Sequence, residues 1–362
     1  MGADPLAPKP EGSRLCFAGP MMGRRRGYVT TQALCLSDHF RGAGYPVIAV
    51  SASANRYVRM LDMLATVLGS RRRIDILIVE IYGGPSFVVE DAVSWLGLRF
   101  GHRIVMLLHG GAMPRFIASH PRWVARVLRR ADAIVAPSPF LARAAAVHGF
   151  GCRVIPNVID LTAYPYRPRR GLAPRLFWMR TFHPVYNPGM AIRVLARLRA
   201  THPGATLVMG GQDKGMQDEM RSLSRGLGVE GAVRFPGFLD QEGKSREGAA
   251  ADIFVNTNRI DNMPVSVVEA CAMGLPVVTT DVGGIRDLVT DGETALLVPD
   301  DDDRAMTGSI LRLLEEPDLA ERLSVQGRRL AERSAWEQVF PQWRRLFEAL
   351  GAGRSPAAGE GL

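Results

Sequence analysis

Apolar residues along the chain fall into short runs separated by longer amphipathic stretches. In the first half the runs are 15–18, 46–51, 74–81, 103–108, 133–136 and 152–155. Each is short and rich in Val, Ile, Leu and Ala, as strands buried on both faces are. Between them, 28–41, 56–68, 87–100 and 139–148 carry apolar positions at three- and four-residue spacing and predict helices. The second half repeats the pattern. Strands are expected at 175–179, 206–209, 232–235, 253–256 and 276–280. Helices are expected at 190–201, 216–227 and 265–272, with a short one after 235 and further helices from 303 to 350. Short apolar runs alternating with helices predict an α/β fold of doubly wound parallel sheets.

The halves meet at 164–174, Y-P-Y-R-P-R-R-G-L-A-P, which is Pro-rich and basic as a linker should be. The expected domains are 1–166 and 174–335. A last helix, 336–350, carries Trp336, Val339, Phe340, Trp343, Leu346 and Phe347 at helical spacing. A chain of 362 residues suits two domains. With 47% hydrophobic residues and a mean hydropathy of +0.02, both can bury a core. No apolar run approaches the roughly 18 residues that a spanning helix needs. The first residues lack an apolar signal region. Cys16, Cys35, Cys152 and Cys271 have no paired spacing, so they read as reduced thiols of a cytoplasmic protein.

Charge divides the chain unevenly. Residues 1–167 hold 21 Lys+Arg against 10 Asp+Glu, and the remainder holds 24 against 26. The first half therefore invites an anionic partner such as a lipid surface. The basic groups are not interleaved with aromatics, so nucleic acid is not expected. Segment 120–130, H-P-R-W-V-A-R-V-L-R-R, reads as a short basic amphipathic helix. Such a helix either lies peripherally in an anionic membrane interface or packs on the core with a solvated charged face.

The stretch 261–284, D-N-M-P-V-S-V-V-E-A-C-A-M-G-L-P-V-V-T-T-D-V-G-G, concentrates the candidate chemistry. Asp261 or Asn262 can cap a helix, Pro264 suits its first turn, and Gly274 suits its end. Asn262, Ser266 and Glu269 fall on one helical face. The free N–H groups of Val265 and Ser266 favour an anion such as a diphosphate. A plainer role for Glu269 is to pair with an arginine at a seam between elements.

This stretch closely resembles the donor-binding signature of retaining glycosyltransferases of family 4. There an acidic residue, seven others and a Glu precede A-x-A-x-G-x-P-V and a Gly pair. Asp261 and Glu269 stand at the acidic positions, with Asp261 in place of the more usual Glu. Ala270, Ala272, Gly274, Pro276, Val277, Gly283 and Gly284 follow at the family spacing. The resemblance implies a GT-B fold, two Rossmann-like domains facing a central cleft, with the last helix crossing back to the first domain. It implies a nucleoside-diphosphate sugar as donor, transfer of a hexose-type sugar to a hydroxyl acceptor, and no metal or other cofactor. The acid run 300–303 accordingly reads as a loop and helix cap.

The resemblance also assigns roles. Asp261 would orient sugar hydroxyls, with Asn262 beside it, and Glu269 would hold the ribose. His109, in M-L-L-H-G-G, would contact the sugar, and Arg180, in F-W-M-R, the diphosphate. The family pairs that Arg with a Lys five or six residues on, where Val185 and Tyr186 stand here. Asn187 is the shifted equivalent and Lys214 a possible replacement. Gly210 and Gly211 match a family Gly loop, Phe238 a segment framing the base. Gly23 and Gly27 belong to a Gly-rich loop near phosphate and acceptor. Other readings are a degenerate GT-B protein that binds nucleotide or a partner without catalysis, and a GT-B phosphorylase.

Overall fold

A computed structural model describes residues 13–23 and 30–351, and contacts group the chain into two compact units. The first runs to Ile155 and regains the chain at Phe340; the second spans essentially Pro156–Val339. Each is built on one six-stranded parallel sheet.

In the first unit the strands are β1 (Leu15–Ala18), β2 (Val47–Val50), β3 (Ile76–Ile81), β4 (Arg103–Leu108), β5 (Ala133–Ala136) and β6 (Arg153–Val154). Their order is β2-β1-β3-β4-β5-β6. The helices are α1 (Gln32–Gly42), α2 (Arg56–Gly69), α3 (Phe87–Arg99), α4 (Met113–Ser119), α5 (Pro121–Leu128) and α6 (Pro139–Ala146). β1, β3 and β5 are buried at every residue, which is why they read as apolar runs, broken only by Glu80 in β3. From Phe340 onward the last helix, Trp336–Gly351, counts with this unit. There Phe340, Trp343 and Phe347 gather on Phe40 at ring distances of 6.0, 6.3 and 5.4 Å.

The second unit contains β7 (Arg175–Met179), α7 (Pro188–Leu198), β8 (Thr206–Gly210), α8 (Gln217–Gly226), β9 (Val233–Gly237), α9 (Gln241–Ala250), β10 (Ile253–Asn256) and α10 (Val265–Ala272). β11 (Val277–Thr280), α11 (Ile285–Leu288), β12 (Leu296–Val298), α12 (Asp303–Glu315) and α13 (Pro317–Glu332) complete it. The order β12-β11-β10-β7-β8-β9 makes the chain leave β7 in one direction and return to β10 on its other side. Open α/β sheets bind ligands at the carboxyl ends of strands at such a reversal.

The structure departs from these expectations in three places. Residues 164–174 are not a free linker. Contacts place them in the second unit, and Arg169 is only 2% exposed. Its guanidinium donates to the carbonyls of Gly248, Ala251 and Met273 at the ends of α9 and α10, where a cation meets the negative pole of each helix. Burial pulls its pKa down to about 10. Residues 295–299, for which no element was expected, contain β12, an edge strand too short to show periodicity. Helix α4 was missed because it is only seven residues long and ends at the break at His120 and Pro121. The 120–130 segment forms α5 and takes the second of its two readings, packing its apolar face on the core. Trp123 packs on Phe87 at 4.9 Å and donates to Asp91 of α3 at 2.7 Å. Arg126 and Arg130 also bind Asp91, and Val124, Val127 and Leu128 are buried.

Candidate functional site

Arg180 follows β7 directly, and Asp261 lies on the loop after β10, so the reversal brings them together. Their side chains form an ion pair. Asn258 adds to it, its amide donating to Asp261 Oδ2 at 2.6 Å and its Oδ1 lying 3.5 Å from Arg180 Nε. The guanidinium also sits 4.5 Å from the centre of the Tyr186 ring. Burial lowers the Arg180 pKa from its ordinary value, opposed by Tyr186 and Glu269.

Two glycines of the family-matching segments, Gly211 and Gly283, approach these two residues by the backbone. A Cβ at Gly211 would lie 1.7 Å from the Arg180 carbonyl oxygen. One at Gly283, whose φ is +57°, would lie 2.1 Å from the Asp261 oxygen. The Gly284 N–H donates to that same oxygen at 2.9 Å. Gly210 ends β8 beneath Leu239, and half-buried Phe238 follows β9.

Helix α10 spans the expected residues, Val265–Ala272, but its cap is neither Asp261 nor Asn262. Pro264 holds the cap position, and its carbonyl accepts from Val267 and Val268 at 3.0 and 3.3 Å. Asp261 does not cap the helix, because its carboxylate is turned onto Arg180, Asn258 and the Asn262 N–H. The first turn leaves the Val265 and Ser266 N–H groups without helical partners. The Ser266 hydroxyl beside them is buried and has no hydrogen-bond partner among the described residues. At the other end Gly274 and Leu275 donate to Cys271 and Ala270 at 2.9 and 3.0 Å, which closes the helix.

Glu269, on α10, is buried among specific partners. Lys244 of α9 lies 2.8 and 3.1 Å from its two oxygens, and the Tyr164 hydroxyl donates at 2.7 Å. The expected seam cation is thus a lysine, not an arginine. Sequence reasoning missed Lys244, Tyr164, Asn258 and Tyr186. Lys244 carried a signal, because Lys9, Lys214 and Lys244 are the chain's only lysines among 45 basic residues.

Asn187 and Lys214 do not join this group. Asn187 is buried in a left-handed conformation at φ 47°, capping α7, and donates to Asp301 at 2.9 Å. Lys214 is exposed on the loop after β8. The acid run has other uses. Asp301 also accepts from Arg193 and Arg259, Asp303 pairs with Arg193 and Arg197, and Asp302 caps α12 at 2.8 Å.

In the first unit His109 follows β4. Its Nε2 stands 3.2 Å from Glu80 Oε1 of β3, and its ring stacks on Tyr82 at 4.9 Å. Tyr82 donates to the other Glu80 oxygen at 3.1 Å. Gly19, just after β1, makes room for Glu80, since a Cβ there would lie 2.7 Å from its Cγ. This cluster lies where the order β2-β1-β3 reverses the chain, the counterpart of the second unit's reversal. A lone Glu in the run I-L-I-V-E-I was its signal in the sequence. Gly23 packs on Thr30. Gly27 lies outside the described residues, as do Arg24, Arg25 and Arg26.

Glu90, on α3, is buried nearby and accepts from the Ser86 hydroxyl at 3.1 Å. Burial pushes its pKa up to about 8, against hydrogen bonds from the Tyr82 backbone and Ser86. A raised carboxyl pKa means that the folded chain holds a proton the unfolded chain releases above pH about 4.5. Its stabilising contribution is full below that pH and is lost as pH climbs to about 8. The expected slope is at most about 1.4 kcal/mol per pH unit. Glu90→Gln should flatten this slope, so that its melting temperature gains on the parent's between pH about 5 and 8. Parallel melting curves for the two proteins would show that Glu90 is ionised throughout.

Residues 171–330 match the family model described as Glycosyl transferases group 1. A glycogen synthase of Mycobacterium tuberculosis (strain H37Rv) is 32% identical over 206 residues, 55% of this chain and 49% of that protein. A phosphatidyl-myo-inositol mannosyltransferase of Mycobacterium leprae is 29% identical over 202 residues, 54% and 53% of the two chains. The matched region is about half the length of these relatives. Among solved structures, Anabaena Alr3699/HepE in complex with UDP and glucose superposes with a TM-score of 0.74 at 19% identity. That match covers 93% of this chain and 100% of the other, and at this identity it establishes the fold, which is of the GT-B class. The family match lies within the second unit of this chain and spans most of it.

Proposed function

We propose that the chain is a retaining glycosyltransferase that moves a hexose-type sugar from a nucleoside-diphosphate sugar to a hydroxyl of a lipid-linked, glycan or small-molecule acceptor. One observation carries this reading. Within the segment that matches the family, Arg180 and Asp261 meet at the carboxyl ends of β7 and β10, beside an α10 whose first turn holds a buried, unpartnered Ser266 hydroxyl. That pairs a cation and a helix N-terminus, which suit a diphosphate, with a carboxylate, which suits a sugar. Names of similar proteins agree: one bound UDP and glucose, and the relatives are a glycogen synthase and a mannosyltransferase.

In this reading the bond between the anomeric carbon and the phosphate oxygen breaks, and its electrons go to the diphosphate. Arg180 and the N–H groups of Val265 and Ser266 stabilise that charge. The anomeric carbon becomes oxocarbenium-like, and a nearby carboxylate favours it. The acceptor oxygen attacks from the face the diphosphate leaves, and its proton passes to the departing phosphate oxygen. Asp261 and Asn262 orient sugar hydroxyls, Glu269 holds the ribose and Phe238 borders the base. His109, in the first unit, is read as a sugar contact. No step requires a metal. The chain is read as cytoplasmic, with the basic first unit in peripheral contact with an anionic membrane; no helix among the described residues is long and apolar enough to cross one.

A second reading, nucleotide binding without transfer, is favoured by one observation. Arg180 and Lys244 each face a carboxylate, so these four groups carry no net charge toward a diphosphate. A thermal-shift screen of UDP, GDP and ADP sugars, followed by mass spectrometry of donor turnover, separates the two. Arg180→Ala should lower turnover about 10²- to 10³-fold. Asp261→Asn should reduce turnover more than nucleoside-diphosphate affinity. Binding without turnover supports the second reading, and no shift with any nucleotide sugar removes both.

A further inference from the structure

We propose that the outer face of α2 and α3 is the surface by which this protein docks on an anionic lipid membrane. The proposal deepens the peripheral contact read above and rests on it. Of eleven exposed large hydrophobic residues among those described, seven lie on these two helices. On α2, Tyr57, Leu61 and Leu68 are 61, 62 and 49% exposed. On α3, Val88, Trp95 and Leu98 are 55, 56 and 53% exposed. Their spacing keeps each set on one side of its helix, opposite Met63 and Val67 or Val93 and Gly97, which face the core. The helices pack side by side, since both are crossovers moving the same way along the sheet. The two exposed rows therefore form one apolar surface, wider than the scattered apolar residues usual on a soluble protein.

The charges framing this surface select its occupant. Arg56 opens α2 and lies over the Tyr57 ring at 4.8 Å. Arg71, Arg72 and Arg73 follow α2, and Arg99 closes α3. The two ends meet, with Arg71 6.0 Å from the Phe100 ring centre. Elsewhere in this unit Arg14, Arg41, Arg103, Arg126 and Arg130 pair with carboxylates. No ion pair among the described residues engages Arg56, Arg71, Arg73 or Arg99, and Asp62 is the only acid exposed on the α2 row. Exposed apolar side chains including a Trp and a Tyr, rimmed by arginines without counter-charges, match the layering of an anionic bilayer, with phosphate above and acyl chain below. Arginine stems can lie along the apolar surface while their heads reach phosphate.

The test uses the full chain and sedimentation with vesicles of equimolar phosphatidylcholine and phosphatidylglycerol, or of phosphatidylcholine alone. The protein should bind the mixed vesicles at low salt, lose binding as salt rises, and ignore the neutral ones. Leu61→Glu with Trp95→Glu should weaken binding at least about tenfold. Both positions are exposed, so melting temperature should not change. Arg71→Ser with Arg73→Ser should weaken binding and reduce its salt dependence. If the parent binds neither vesicle, both this inference and the membrane reading fail. If the parent binds but the Leu61/Trp95 variant binds equally well, only this inference fails. If light scattering instead shows a dimer that the variant loses, a second copy of the chain covers the face and the proposal is overturned.

Discussion

Gly283→Ala is expected to destabilise the second unit by about 2–5 kcal/mol and to abolish donor binding. Two costs combine. The residue has φ +57°, a left-handed conformation that costs an L-residue about 1–2 kcal/mol. The new methyl would also stand 2.1 Å from the Asp261 carbonyl oxygen, closer than any real contact. Relief requires the Asp261 loop to move, and with it the carboxylate that pairs with Arg180. Gly292→Ala is the control. It has φ +73° but no atom within 4 Å of the added carbon, so it should show the conformational cost alone. Urea denaturation of both variants, with calorimetry of nucleoside-diphosphate binding, separates strain from displacement. Equal losses of stability would show that the close approach to Asp261 carries no weight.

What the sequence revealed and what it concealed follow from the range of the forces involved. Strands such as β1 and β5 were legible because parallel strands covered on both faces are apolar throughout. The α10 helix and its Gly274 stop were legible because local backbone chemistry sets them. Asp261 was misread as a cap for the opposite reason. Its partner Arg180 lies 81 residues away in the chain, and an ion pair at that separation outcompeted a local hydrogen bond. The α5 segment shows the same limit. Periodicity gave the helix, but only the fold could show that Phe87 and Asp91 occupy its Trp123 side, while α2 and α3 are left with apolar faces in solvent. The positions of Gly211 and Gly283 could be read from spacing. Their contacts, two carbonyl oxygens on other loops, could not.

The pair formed by Lys244 and Glu269 gives the sharpest separation of stability from binding. Lys244→Met is expected to cost about 2–4 kcal/mol, because it leaves a carboxylate that is 8% exposed without its ammonium. The lower part of that range is favoured by the lysine side chain, which is itself 21% exposed. Tyr164 remains as a donor, but one hydroxyl does not replace a charge. The double variant Lys244→Met with Glu269→Gln removes both charges and keeps the volume. It should recover most of the lost stability, since the buried ion is gone. Nucleotide affinity should behave differently. If Glu269 holds a ribose, the neutral amide is a weaker acceptor for its hydroxyls, so affinity should stay about tenfold below the parent in the double variant. Urea titrations of the parent, both single variants and the double variant give the coupling energy. Calorimetry with the nucleotide that the thermal screen selects gives the affinities. Recovery of stability and affinity together in the double variant would mean that Glu269 serves only Lys244 and Tyr164, and would remove it from the donor site.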